Sequence, residues 1–296
     1  MTSYELASEI ASNYGAPQDI AQGGINTVAI TNHAVVKVPV DRSEWRLAAL
    51  AREHDILRIL EEVDLGPYNK PELVDYSEDP AYLVTTYVPG ATVATKEIRS
   101  MPTRDREALG RGLGAYILTQ TAATDNPSVI ERVAALPARD RTTEFESVGS
   151  FVMPEQYPTL TNMCQALFTR WQSYKDADLP THFIHGDLTP HNLVFTPDLQ
   201  LSGAIDFARA HNGTIAEELS TVCDIDTLVF EACIKELRQG GMTATAEHAR
   251  TWRDMKYLHV GPSLFSGQPN YQGRIAFKEA IEDLYPDLDW QELDSR

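Results

Sequence analysis

Hydrophobic and polar positions follow two rhythms along this chain. Up to about residue 88 the apolar residues gather in short β-rich runs. Val28-Ala29-Ile30 and Ala34-Val35-Val36-Lys37-Val38 flank Asn32-His33 and predict a hairpin. Residues 71–76 and 81–88 predict two more strands around a turn at 77–80, and Pro89-Gly90 stops the second. Two helices interrupt this pattern. Thr2 followed by Glu5 is a capping box that opens a short helix carrying Leu6 and Ile10 and ending at Gly15. A longer helical stretch covers about residues 42–62 and ends at Leu65-Gly66-Pro67. Past Gly90 the helical period takes over. It covers about 104–124 (Leu109, Leu113, Ile117), 158–176 (Leu160, Met163, Leu167, Trp171), 215–238 (Leu219, Val222, Val229, Cys233) and two stretches near the end. Gly112 and Gly114 weaken the first of these, and 127–158 reads as loop-rich. The pattern is that of an α+β protein, β-rich first and helical afterwards.

One stretch of the helical region is different. His185-Gly186-Asp187-Leu188-Thr189-Pro190-His191-Asn192 lies between apolar Ile184 and Leu193-Val194-Phe195. A turn at Pro197-Asp198 follows, then a strand end, Gly203-Ala204-Ile205-Asp206-Phe207. These residues suit phosphoryl transfer. One carboxylate accepts or orients the proton of an attacking hydroxyl, while an amide oxygen and a second carboxylate hold magnesium against nucleotide phosphates. Magnesium prefers hard oxygen ligands and takes some from phosphate, so two protein ligands suffice. Upstream, Gln22-Gly23-Gly24-Ile25-Asn26-Thr27 sets two glycines at a bend where backbone N–H groups can approach phosphate oxygens. Alone, this bend reads as a plain hairpin turn. Lys37 lies inside an apolar strand, where a lysine is costly without a partner, and Glu53 follows 16 residues later in the helical stretch. Alone, these two read as an edge-strand charge and a surface acid.

Taken together, the motifs resemble the aminoglycoside phosphotransferase family, the small-molecule branch of the protein-kinase-like fold. There the loop reads H-G-D-x-x-x-x-N and the metal strand ends in I-D-F or I-D-W. The resemblance implies a bilobal α+β fold, with a small antiparallel-sheet nucleotide lobe over 1–88 and a mainly helical catalytic and substrate lobe over 89–296. It implies Asp187 as the catalytic residue and Asn192 and Asp206 as ligands of two Mg2+ ions. Lys37 would grip the nucleotide phosphates, held by Glu53. Gly23, Gly24, Asn26 and Thr27 would form the phosphate loop. The Thr86 C=O and Val88 N–H would meet the base of ATP or GTP, with Thr85 beside it. His185 and Glu218 would brace the catalytic loop. Two departures stand out. Gly213 fits the family's Gly-Asp-Pro turn, but the Asp-Pro is absent and Glu218 takes the place of the usual Asp. The frequent family His near the end of the 104–124 helix has no counterpart in Gln120-Thr121-Ala122.

Charge narrows the partners. With 25 basic and 43 acidic residues in 296, the net charge is −18. Nucleic acid is excluded as a partner, since phosphate backbones need a basic face. A cationic acceptor is compatible, and Glu217, Glu218, Asp224, Asp226, Glu231 and a later run (Glu279, Glu282, Asp283, Asp287, Asp289) are candidate holders of ammonium groups. Each of these acids also reads as an ordinary solvated helix face. The resemblance therefore implies an aminoglycoside as acceptor. Macrolides, and then choline-like alcohols or a sugar, are the alternatives, with Ala208-Arg209 unlike the Glu-Tyr usual in choline kinases. A binding module without catalysis is the alternative of another class. Three cysteines (Cys164, Cys223, Cys233) show no metal-ligand spacing. The start shows no signal-peptide pattern, and no run approaches the roughly 20 apolar residues of a membrane helix. The expectation is a cytoplasmic protein without a membrane partner.

Overall fold

The computed structural model describes residues 1–136, 158–175 and 179–265. Of these, the residues within Met1–Ala138 and Thr181–Ala244 form one compact unit and those within Arg139–Pro180 and Thr245–Arg296 a second. The expected lobe boundary at Val88 falls inside the first.

The first unit opens with helix α1 (Ser3–Ser12), begun by the capping box: Thr2 Oγ1 accepts the Glu5 N–H at 3.2 Å and the Glu5 carboxylate accepts the Thr2 N–H at 2.7 Å. Five antiparallel strands follow: β1 (Asp19–Gln22), β2 (Asn26–Ile30), β3 (Ala34–Pro39), β4 (Leu73–Glu78) and β5 (Ala81–Thr86). They lie in the order β1-β2-β3-β5-β4. Strand side chains alternate between faces, and here the alternation sorts function from packing. Ala34, Val36, Val38 and Val84 face α1 and form a core with its Ala7, Ile10 and Ala11. Lys37 points to the other face, where helix α2 (Glu44–Leu60) lies. The buried stripe of α2 carries Leu50, Glu53, Ile56, Leu57 and Leu60, so Glu53 is an acid set among apolar residues. Strand β1 escaped the sequence pattern because most of it is exposed and shows no apolar alternation.

Among the described residues, the remaining helices are α3 (Thr95–Ser100), α4 (Thr103–Thr124), α5 (Pro127–Ala134), α6 (Pro158–Lys175), α7 (Ile215–Val222), α8 (Thr227–Gln239) and α9 (Ala246–Phe265). Two short ladders complete the first unit: β6 (His182–Ile184) pairs with β9 (His211–Gly213), and β7 (Leu193–Phe195) pairs with β8 (Leu201–Ala204). In the second unit, α6 and α9 meet through Trp171 and Trp252, whose rings stand edge-on at 6.1 Å.

Several expectations need correction. The single helix expected over 215–238 is two, because Asp226 breaks it. Its carboxylate accepts the N–H groups of Leu228 and Val229 at 2.9 and 3.2 Å and starts α8 afresh. The loop-rich stretch after 127 begins as a helix, capped by Asn126 with Pro127 at its first position. Of the two glycines expected to weaken α4, Gly114 belongs to its packing, together with Gly110. A Cβ on Gly110 would come within 2.3 Å of Val229 O, and one on Gly114 within 2.9 Å of Cys233 O. Gly110 and Gly114 thus form the face against which α8 lies, whereas Gly112 has open space around it. Of the two expected C-terminal helices, one is α9; the other, with the acidic run 279–289, lies outside the described residues.

Candidate active site

Strand β6 delivers the loop that begins at His185, and the loop is tied from below. Glu218, fully buried in the first turn of α7, accepts the His185 N–H at 2.8 Å and the Gly186 N–H at 2.7 Å, one on each carboxylate oxygen. Gln120 from α4 donates to the same carboxylate at 3.5 Å. It stands in the stretch where the resemblance led one to look for a histidine. His185, also fully buried, donates through Nε2 to Ile205 O at 3.0 Å. Gly186 has a φ of +74°, and a Cβ there would come within 2.7 Å of Arg209 O, so only glycine passes. Glu218→Ala would orphan two buried N–H groups at about 1–3 kcal/mol each. We expect urea unfolding of that variant to show a stability lower by about 2–5 kcal/mol. A loss below about 1 kcal/mol would mean the loop is anchored elsewhere.

Asp187 follows, partly exposed. Asn192, in the 3-10 turn at Pro190–Asn192, donates its Nδ2 to Asp187 O at 2.9 Å and Oδ2 at 3.2 Å. That orientation leaves the Asn192 amide oxygen for another partner. On the other oxygen, Arg209 Nη1 lies 3.6 Å from Asp187 Oδ1. Backbone pairing of β7 with β8 then sets Asn192 next to the strand end, with Ile205 N–H donating to Asn192 O at 2.9 Å. Asp206 follows with φ 66° and ψ 68°, a left-handed conformation rare outside glycine. Such strain persists where surroundings over-determine it, commonly at functional sites.

Asp206 and the sheet meet at Lys37. The ammonium lies 2.7 and 2.8 Å from the two oxygens of Glu53 and 3.2 Å from Asp206 Oδ1. Glu53 is 2% exposed and Lys37 12%, whereas Asp206 is 43% exposed and open on its far side. Burial alone would discharge Lys37, but Asp206 and Glu53 outweigh it and hold the ammonium above its ordinary range. Burial pushes the Glu53 carboxyl up, against the pull of Lys37. Lys37 holds the Asp206 carboxyl below the usual carboxylate range despite burial. Residues separated by 169 positions in the chain thus share one charged crevice.

The other predicted residues divide. Gly23 and Gly24 form the tip of the β1–β2 hairpin, closed by Gly23 N–H donating to Asn26 O at 2.8 Å. Neither has a positive φ, and a Cβ on Gly24 would meet nothing within 4 Å. Asn26 keeps a buried Oδ1 without a partner among the described residues. The Thr27 hydroxyl is buried and bonded to Ser3 Oγ at 2.8 Å, so its side chain is spent on holding α1. Thr86 ends β5 with its hydroxyl accepting the Glu72 N–H at 2.9 Å. Val88 is buried just past that end, and Thr85 shares the sheet face of Lys37. Sequence reasoning gave Gln120 no role because it sought a histidine, and it missed the contact of Arg209 with Asp187. Among the described residues, no cluster of three or more His, Cys, Asp or Glu side chains could enclose a metal by itself.

The sequence model of the phosphotransferase enzyme family (APH) matches residues 18–257. The chain belongs to that family. It is an enzyme that transfers a phosphoryl group to a hydroxyl. Solved structures agree on the bilobal, protein-kinase-like fold. The GDP complex of wild-type aminoglycoside 2'-phosphotransferase-IIIa superposes with a TM-score of 0.73 at 15% identity, covering 95% of this chain and 98% of that one. The streptomycin–ATP–APH(2")-IIa ternary complex gives 0.68 at 16% identity, covering 93% and 94%. The apoenzyme of macrolide 2'-phosphotransferase MphH from Brachybacterium faecium gives 0.64 at 18% identity, covering 96% and 99%. No curated protein sequence matches. Of the five acids expected to hold ammonium groups that lie among the described residues, most are engaged. Glu217 and Glu218 are buried, the former 3.2 Å from His211, and Asp226 caps α8 and pairs with Arg106 at 2.9 Å. Asp224 has partners of its own, and Glu231 is exposed.

Proposed function

We propose that this phosphotransferase moves the γ-phosphoryl group of ATP or GTP to a hydroxyl of an amine-bearing small molecule, with an aminoglycoside as the first choice. The nucleotide would lie between residues 1–88 and the helical residues from 89 onward. What carries the reading is the approach of Lys37 to Asp206 across the fold, beside Asp187 and Asn192. Lys37, kept charged by Glu53, is suited to bind the phosphates, and the glycine tip to offer them backbone N–H groups. Thr86 C=O and Val88 N–H would meet the base. Asp187 would orient the acceptor hydroxyl and take its proton. The open oxygen of Asp206 and the amide oxygen of Asn192 form a hard-oxygen pair fitting Mg2+, two ions by the family resemblance, completed by phosphate oxygens. Bound magnesium would supply neutralisation of charge on the phosphates. A non-catalytic binder is disfavoured because Lys37, Asp187, Asn192 and Asp206 are all in place.

A second acceptor reading has its own support. Of the five described candidate acids, Glu217 and Glu218 are buried and Asp226 pairs with Arg106, and Arg209 stands beside Asp187, so fewer of those carboxylates are left for a polycation. That favours a macrolide, which carries fewer ammonium groups. No described helix is long and apolar enough to cross a membrane; we place the enzyme in the cytoplasm. A nucleotide-consumption screen against aminoglycosides, macrolides and amino-alcohols, with mass spectrometry of products, tests the choice. We expect one phosphate gained on an aminoglycoside. Gain on a macrolide alone would overturn the first choice in favour of the second.

A further inference from the structure

Resting on that nucleotide reading, we infer that Arg46 is a positioning residue that holds the glycine tip over the phosphate site. Arg46 stands in the first turn of α2, seven residues before Glu53 and so on the same helical face. Its guanidinium crosses to the β1–β2 hairpin, where Nη2 donates to Gly24 O at 3.1 Å. Nη1 pairs with the Asp41 carboxylate, which also accepts the Ser43 N–H at 3.0 Å and is thereby fixed to the start of α2. The Trp45 ring lies 4.5 Å from the guanidinium carbon. These contacts leave the Arg46 side chain only 17% exposed.

The hairpin does not need this bond to close. Gly23 N–H to Asn26 O at 2.8 Å already closes its turn, and Val40 N–H to Ile25 O at 3.0 Å ties the turn to the residue after β3. The bond to Gly24 O adds a tie from α2. Nothing in the protein's own packing requires Gly24 to be bare, since its φ is not positive and the space around it is open. The bare tip is therefore suited to something that approaches from outside. Two buried donors at the contact, Ser43 Oγ and Arg46 Nε, have no hydrogen-bond partner among the described residues. Native proteins rarely leave such atoms unsatisfied, so the place is incomplete without a further hydrogen-bonding group. A triphosphate oxygen at the tip could accept from these donors. Arg46 spares the loop the ordering that nucleotide binding would otherwise demand, and its charge favours phosphate.

The test compares the full-length wild type, Arg46→Ala and Arg46→Lys, each titrated with ATP and with GTP in the presence of MgCl2, and each assayed for turnover of the better nucleotide. Arg46→Ala is expected to weaken nucleotide binding, and raise the nucleotide KM, by about tenfold, the scale of one lost charge-assisted hydrogen bond. Its kcat should stay within about threefold, as for loss of uniform binding. Arg46→Lys should fall between the two, because an ammonium can still donate to Gly24 O. Wild-type affinity in Arg46→Ala would overturn the inference. So would a joint loss of kcat and thermal stability in both variants, which would make Arg46 merely structural. A wild-type chain that binds neither nucleotide would defeat the nucleotide reading and this inference with it.

Discussion

Asp187→Ala is expected to lower turnover about 100- to 10,000-fold, the range for removing a general base, while nucleotide affinity changes little. The division follows from contacts. Asp187 touches Asn192 and Arg209, and neither Lys37 nor Glu53. Its loop is held by backbone bonds to Glu218 that the substitution leaves alone. The variant should fold, bind nucleotide and fail to transfer. Steady-state kinetics with the acceptor found by the screen, paired with calorimetric titration of nucleotide, would separate the two effects. A parallel loss of nucleotide affinity would place Asp187 in the binding site instead.

Asp206→Asn should show the converse. Asparagine tolerates the left-handed backbone that Asp206 adopts, so strain is not the variable. The change removes a negative charge facing Lys37 and one oxygen of the hard-ligand pair. Losing one charge-assisted hydrogen bond of a partly exposed pair costs about 1.5–3 kcal/mol, or roughly 10- to 150-fold in affinity. Metal-dependent nucleotide binding should weaken by that order, with turnover falling at least as far. Unaltered nucleotide affinity would remove Asp206 from the proposed site.

The sequence made the loop legible because its chemistry is compressed. Asp187 and Asn192 are five residues apart, and Asp206 ends the next hairpin. Lys37 was legible for a physical reason as well, since a charge inside an apolar strand demands a partner, whereas Glu53 read as a surface acid and only the resemblance singled it out. Their convergence with Asp206 was not legible from spacing; it depended on resemblance, because long-range pairing leaves no local trace. The same limit hid Arg46 and Gln120, whose partners lie 22 and 98 positions away. The sequence likewise does not show that α1 returns to engage the Thr27 hydroxyl. Helix breaks were obscured in the same way: Val222 and Val229 keep one apolar period, and only the Asp226 cap separates α7 from α8.

The central claim is that Lys37, Asp206 and Asn192 assemble a metal-bound triphosphate site. Calorimetric titration of the wild-type chain with ATP and GTP, once with MgCl2 and once with a chelator, tests it most directly. The account predicts saturable binding of at least one nucleotide that weakens sharply when magnesium is withdrawn. Binding indifferent to the chelator, or no binding of either nucleotide, would contradict it.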